Sequence, residues 1–255
     1  MIIGISSKAG GVGTSLVSLI LAHGLALRNK RILLLSTDIC NGIDCFIKKN
    51  TLNSEITLDR TLLGDNRRIK VRENLETIKM FYPFKYIKLE DEIEMYFKIE
   101  IFLKKSKKNY DYIIIDYKHS LSINEFFLKN TDKMIVISGE GDLYRNGMLG
   151  AFREIRETFE EKNDFLEMDN IKSKILCVLF NDAQYLKQEE LNEKIKILKN
   201  RGIQVVTPLK RERIIEKLIF KGKTLWEIED KRLIKAKESF LEIIDKIINI
   251  KEEYI

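Results

Sequence analysis

Residues 7–15 read SKAGGVGTS, a spacing of glycines and hydroxyls suited to holding phosphate. In the pattern G-x-x-x-x-G-K-[ST], backbone N–H groups surround the α- and β-phosphates, a lysine reaches the β- and γ-phosphates, and the last hydroxyl binds Mg²⁺. Gly10, Gly11 and Gly13 supply bare backbone here, with Val12 between them, and Ser15 supplies the hydroxyl. Thr14 stands at the lysine position and Lys8 at the position of the first glycine. The cradle is present, and its charged half is replaced. Two carboxylates extend the chemistry. Asp116 ends the run YIIID, where an acidic side chain reaches the magnesium of a phosphate-loop protein directly or through water. An aspartate ending a strand is otherwise a turn or cap residue, and coupling to GGVGTS favours the metal role. Asp38 follows the run RILLLS, and an acceptor there can orient a water for in-line attack on a γ-phosphate.

These groups need a frame that brings them to one edge. MIIGIS (1–6) reads as a buried strand, and SLVSLILAHGLAL (15–27), directly after the loop, is apolar enough for a helix packed on a sheet. Further strands are predicted at 31–36, 75–83, 110–116, 133–138, 174–180 and 203–208. Helical patterns fall near 91–107, 145–161, 187–200 and 231–250. Continuously apolar strands alternating with helices predict an α/β fold: a doubly wound, mostly parallel sheet of about seven or eight strands with helices on both faces. Ligands of such sheets bind at the carboxyl ends of the strands. The glycine loop, Asp38, Asp116 and Asn181 all follow predicted strands at that edge.

Composition narrows the classes. A chain of 255 residues that is 44% hydrophobic can bury a full core, and one domain over 1–255 is expected. Neither a low-complexity tract nor a repeat interrupts it. The start of the chain has no charged segment before an apolar one, and no run of about 18 apolar residues occurs, so a soluble cytoplasmic protein is expected. Cys40, Cys45 and Cys177, with His23 and His119, match no metal spacing and read as reduced structural thiols and ordinary histidines. The net charge of +6 is a modest excess. Its densest basic stretch, LKRERIIEKLIFKGK (209–223), reads most simply as a solvated surface, with non-specific DNA contact as the sharper alternative. In LIKAKESFLEIIDKIINIKEEYI, apolar positions 233, 234, 240, 241, 244, 247 and 248 predict a last helix packed on the sheet rather than a membrane helix.

Four segments together, AGGVGTS (9–15), STDI (36–39), YDYIIIDYKHSL (110–121) and VVTPLKRERIIEKLIFKGKTLWEIED (205–230), carry a likeness to a known family. From end to end the chain resembles the ParA/MinD family of deviant-Walker ATPases, whose motifs are K-G-G-V-G-K-T, D-x-D-P, Y-D-Y-I-I-I-D with two prolines after it, and V-I-P-R…S-x-G-K-P. The resemblance implies a phosphate-loop NTPase fold of the SIMIBI type, binding of ATP or ADP with Mg²⁺, and a nucleotide-dependent homodimer. The family's signature lysine, which reaches the partner's nucleotide across the dimer, falls on Ala9, and the loop lysine falls on Thr14. The first aspartate of D-x-D, a magnesium outer-shell group, falls on Ser36, whereas the water-orienting second is kept as Asp38. The two prolines become Lys118 and His119. Ser15 and Asp116 remain to hold Mg²⁺. The family's adenine site, at the ends of the sixth and seventh strands, maps onto Asn181 and the loop at Pro208. Lys8, one residue from the signature position, is a candidate to restore the missing charge. Threonine after GGVG resembles the TadZ/CpaE branch, which usually keeps the signature lysine that this chain lacks.

Binding is expected to survive these replacements better than hydrolysis. Charge-assisted phosphate contacts contribute about 1.5–3 kcal/mol each, so losing two lysines weakens ATP binding by roughly one to several orders of magnitude. Hydrolysis suffers more, because such cations neutralise charge that develops in the transition state. The leading expectation is an ATP-binding positioning or scaffolding protein with weak or absent hydrolysis. It would act on a protein partner through nucleotide-dependent conformation or dimerisation, recruited to a pole, nucleoid or membrane complex without binding membrane itself. The alternatives are an active partition ATPase that binds DNA non-specifically through 209–223, and an interaction module that binds no nucleotide.

Overall fold

The computed structural model describes residues 1–37, 43, 46, 56–62, 64–78, 89–117, 123–139, 141–159, 169–181, 188–210 and 212–253. Its strands are β1 (Ile2–Ser6), β2 (Ile32–Ser36), β3 (Ile69–Arg72), β4 (Leu75–Thr77), β5 (Tyr112–Asp116), β6 (Lys133–Ser138) and β7 (Ile175–Phe180). They form one sheet in the order β3-β4-β2-β5-β1-β6-β7. Every pairing is parallel except that of β3 with β4. The helices are α1 (Thr14–Ala26), α2 (Leu58–Leu62), α3 (Leu89–Asn109), α4 (Ile123–Lys129), α5 (Gly141–Phe159), α6 (Asp169–Lys174), α7 (Gln188–Asn200), α8 (Arg213–Phe220) and α9 (Ile234–Glu253).

The strands are apolar at nearly every position because both faces of the sheet are covered, and their alternation divides the core in two. Ile3, Ile5, Ile114, Ile135 and Ile137 face α1, α8 and α9. Ile2, Ile113, Ile115, Met134 and Val136 face α3, α4, α5 and α7. The expected closing helix is α9, with Phe240, Ile243, Ile244 and Ile247 buried on the first of these layers. Among the described residues no helix is long and apolar enough to cross a membrane.

Two strand expectations need correction. Residues 203–208 form no strand, only a single parallel bridge between Val205 and Val178. The segment leaves the sheet because Glu242 of α9 accepts hydrogen bonds from the Thr207 amide and hydroxyl, each at 3.0 Å, and the next residue, Pro208, has no N–H to offer. The strand placed at 75–83 is only Leu75–Thr77 within the described residues. The antiparallel β3 was not anticipated, since its sequence IKVR interleaves charge as an edge strand does.

β1 lies between β5 and β6, and the chain leaves it towards β2 on one side and returns through β6 on the other. Such a reversal opens a crevice beyond the carboxyl end of β1. The glycine loop begins there.

Candidate phosphate-binding site

β1 ends at Ser6, and the chain then turns through Gly11 (φ +78°) and Gly13 (φ +87°), both in the left-handed region that favours glycine. Gly13 is the N-cap of α1, and no side chain caps the helix. The first-turn N–H groups of α1 therefore face the crevice together with the positive end of the helix dipole. A Cβ added at Gly10 or Gly11 would meet nothing within 4 Å, so the loop backbone is open on that side. The resulting cleft, about 440 Å³, is lined by Lys8, Gly11, Gly13, Thr14, Ser15 and Asp116 among others.

Three oxygens converge at its foot. Ser15 Oγ donates to Asp116 Oδ2 at 2.6 Å, and Ser36 Oγ donates to the same oxygen at 3.2 Å. Sheet register produces the convergence: Asp116 is paired with Ser36 on β2 and with Ile5, the penultimate residue of β1, on the other side. The Thr37 amide, donating to the Asp116 carbonyl at 2.9 Å, holds the β2 end against β5. Asp116 is buried. Magnesium takes one or two carboxylates, hydroxyls, waters and substrate phosphate oxygens rather than a full protein cage, and this donor set fits that pattern. Among the described residues no group of three or more His, Cys, Asp or Glu side chains could hold a metal elsewhere. Ser36, read from sequence as a lost aspartate, thus keeps an oxygen beside Asp116.

The loop is seated on α5. The Lys8 amide donates to the Gly147 carbonyl at 3.0 Å, and a Cβ at Gly147 would lie 2.5 Å from Ala9 Cβ and 2.6 Å from Ala9 N. One turn on, a Cβ at Gly150 would lie 3.0–3.2 Å from the Lys8 side-chain carbons. Lys8 runs along this helix to Glu154, with Nζ 3.6 Å from the carboxylate. It borders the cleft, but its charge is shared with an acid of α5. Ala9, at the position of the family's signature lysine, is buried against Gly147.

Asn181 follows β7 and reaches back to the loop. Its amide Nδ2 donates to the Val12 carbonyl at 2.6 Å and would lie 2.8 Å from a Cβ at Gly13. Its backbone N–H donates to the Ser138 carbonyl at 2.7 Å, and Leu209 N–H donates to the Phe180 carbonyl at 2.8 Å, which brings Pro208 beside the same strand end. Asp38, Lys118, His119, Cys40 and Cys45 lie outside the described residues. Cys177 is buried in β7, and burial pushes its thiol up to about 12, in keeping with the inert thiol expected.

The far half of α1 is anchored as firmly as its start. His23 Nδ1 is 2.6 Å from Thr224 Oγ1, and Trp226 Nε1 donates to the Ile20 carbonyl at 2.7 Å. Glu227 accepts from the Thr224 amide at 2.7 Å and pairs with Arg72 of β3 at 3.1 Å. Desolvation holds the His23 imidazole below its usual pKa, partly offset by Glu227. Within the basic 209–223 stretch, α8 buries Ile215, Leu218 and Ile219 and exposes Lys217, while Lys210, Lys221 and Lys223 are exposed around it.

Comparison with known proteins agrees with this geometry. A family model described as an AAA domain matches residues 1–168. Among solved structures, a plasmid partition protein of Borrelia burgdorferi bound to AMPPNP is 24% identical, with a TM-score of 0.73 over 96% of this chain and 98% of that one. Apo McdA of Cyanothece is 15% identical, with a TM-score of 0.71 over 95% and 98%. The MinD cell division protein of Aquifex aeolicus is 16% identical, with a TM-score of 0.64 over 97% and 96%. The fold is thus that of the ParA/MinD phosphate-loop NTPases, as the resemblance implied. No curated protein sequence matches the chain.

Proposed function

The chain belongs to the AAA domain family, and from that membership we propose that it is an ATP-binding partition or positioning protein whose nucleotide sits in the cleft above Asp116. The observation that carries the reading is the convergence of the Ser15 and Ser36 hydroxyls on one oxygen of a buried aspartate, directly beneath a loop of left-handed glycines. The AMPPNP on a partition protein of the same fold supports it.

Backbone N–H groups of residues 10–15 would hold the phosphates, and Ser15 and Asp116 would hold Mg²⁺. That cation, when bound, would supply charge neutralisation to the phosphate groups. Asn181 and Pro208 border the base, and Lys8 borders the phosphates from the α5 side. Asp38 orients the attacking water. With threonine at 14 and alanine at 9, few cations meet the γ-phosphoryl group, so turnover is slow or absent. ATP acts chiefly by selecting a conformation or a homodimer that a partner protein recognises.

Calorimetry and thermal-shift titration with Mg²⁺-ATP and Mg²⁺-ADP, beside a phosphate-release assay, test this reading. Binding in the micromolar range or weaker, with little release, is the expected outcome. No heat and no stabilisation at millimolar nucleotide would sink it, since any ligand of the folded state raises its stability by mass action. The interaction-module reading would then stand.

A further inference from the structure

A second cleft, of about 360 Å³, lies between α2, the turn at 64–68 and the second half of α3. It shares no lining residue with the phosphate-loop cleft. Four cations, Arg68, Lys98, Lys105 and Lys108, line it without an acidic residue, over a floor that includes Ile101 and Phe102. The Arg68 guanidinium lies over the Phe102 ring at 5.6 Å, which fixes one of the charges in place. Lys98 shares its charge with Glu94 at 2.6 Å, whereas Lys105 and Lys108 make no ion pair among the described residues.

An apolar ridge runs into this cleft. Ile93, Phe97 and Ile101 are 63%, 56% and 52% exposed, and their four-residue spacing places them on one side of α3. Single exposed apolar side chains are ordinary, but three in register beside a basic cleft form a patch of the kind that marks an interaction surface. Ile101 belongs to both features.

We propose that the ridge and the cleft together bind an acidic amphipathic segment of a partner protein, its apolar side on Ile93, Phe97 and Ile101 and its carboxylates on Arg68, Lys105 and Lys108. Charge complementarity selects an acidic occupant. The ridge selects protein over nucleic acid, because a nucleic-acid track needs cations along its whole length and aromatic faces for bases. Here the cations occupy one end, and the other end is mostly aliphatic. A helix with apolar residues three and four apart matches the ridge spacing. The proposal does not depend on nucleotide binding.

The test uses the full chain and a fluorescein-labelled amphipathic peptide with leucines at helical spacing and glutamates at one end, beside a counterpart with glutamines. Anisotropy should show the glutamate peptide binding at least about tenfold tighter than the glutamine one, with salt weakening it. Lys105→Glu with Lys108→Glu should weaken binding at least about tenfold, and Phe97→Ser at least about fivefold. An equal charge change on α7, Lys196→Glu with Lys199→Glu, should change it by less than about twofold. Thermal melting checks that each variant folds. If the charge reversal melts early, Lys105→Gln with Lys108→Gln takes its place and should weaken binding at least about threefold. Equal losses from the α3 and α7 pairs overturn the proposal, as does equal binding of the two peptides. Binding of a duplex oligonucleotide, but not the peptide, that the α3 reversal abolishes also overturns it.

Discussion

Ser15 and Asp116, 101 positions apart in the chain, meet at 2.6 Å where the first helix begins and β5 ends. The contact joins a loop hydroxyl to the carboxylate of a neighbouring strand, the pair of protein oxygens that the proposed magnesium–phosphate site would use. Asp116→Asn should therefore remove the Mg²⁺ dependence of ATP binding and weaken it at least about tenfold, and Ser15→Ala should do the same. The double variant should be little worse than either single one, because both act through one shared contact. Calorimetry with Mg²⁺ and with EDTA checks all three.

Seating of the loop on α5 gives a prediction remote from the ligand. Gly147→Val places a branched side chain where Ala9 backbone lies 2.6 Å from the position of a Cβ. It should lower stability by about 1–3 kcal/mol through overpacking, and nucleotide affinity should fall at least about tenfold because the cradle is displaced. Gly150→Ala meets the Lys8 side chain, its Cβ included, at 3.0–3.2 Å and should cost less than Gly147→Val. Denaturant melts and ATP titrations of the two variants separate these effects.

Restoring the missing cation tests the cradle directly. Thr14 opens α1 and lines the cleft. Thr14→Lys should tighten ATP binding at least about tenfold, since one charged phosphate contact contributes about 1.5–3 kcal/mol. ADP, with one fewer phosphate in reach, should gain less. If ATP binds the variant no more tightly than the parent, SKAGGVGTS does not hold phosphate in this fold.

The anchor at the far half of α1 should make stability depend on pH. Desolvation lowers the His23 pKa in the folded protein from the usual 6.5. Below 6.5 the unfolded chain then binds a proton that the folded chain refuses, so stability falls with pH from there down to the folded pKa and levels off beneath it. Melting temperature should drop as pH is lowered through 6.5, and His23→Gln should flatten the part of that slope due to this residue. An unchanged slope in the variant would assign the pH dependence to other groups.

Much of the frame was legible in the sequence because apolar strands buried on both faces leave a continuous signal, as YIIID and KMIVIS do. Gly11 and Gly13, read from sequence as bare backbone around phosphate, take positive φ in the loop. The strands at 69–72 and 203–208 were misread for opposite reasons. IKVR carries the charges of an edge and hides its pairing, whereas IQVVTP has strand composition but is drawn away by Glu242 from another part of the chain. The site followed the same division. Ser36 looked like a lost ligand when side-chain charge alone was compared, and only the register of β2 against β5 sets its hydroxyl on Asp116. The glycine pair in RNGMLGAF (145–152) resembled any helix interior until the loop was found resting on it. Lys8 was visible as a stray cation, while its tie to Glu154 depends on the placement of α5.

Ala9 and Gly147 occupy what is almost one volume, since the methyl of the first sits 2.5 Å from where the second would carry its own. Position 147 has no room for even a methyl while Ala9 stays as it is. Any side chain at residue 147 would first have to push the loop off the helix or move the helix itself. The loop and α5 therefore behave as one unit: the shape of the phosphate cradle is set as much by the absence of a side chain at 147 as by the glycines of the loop itself.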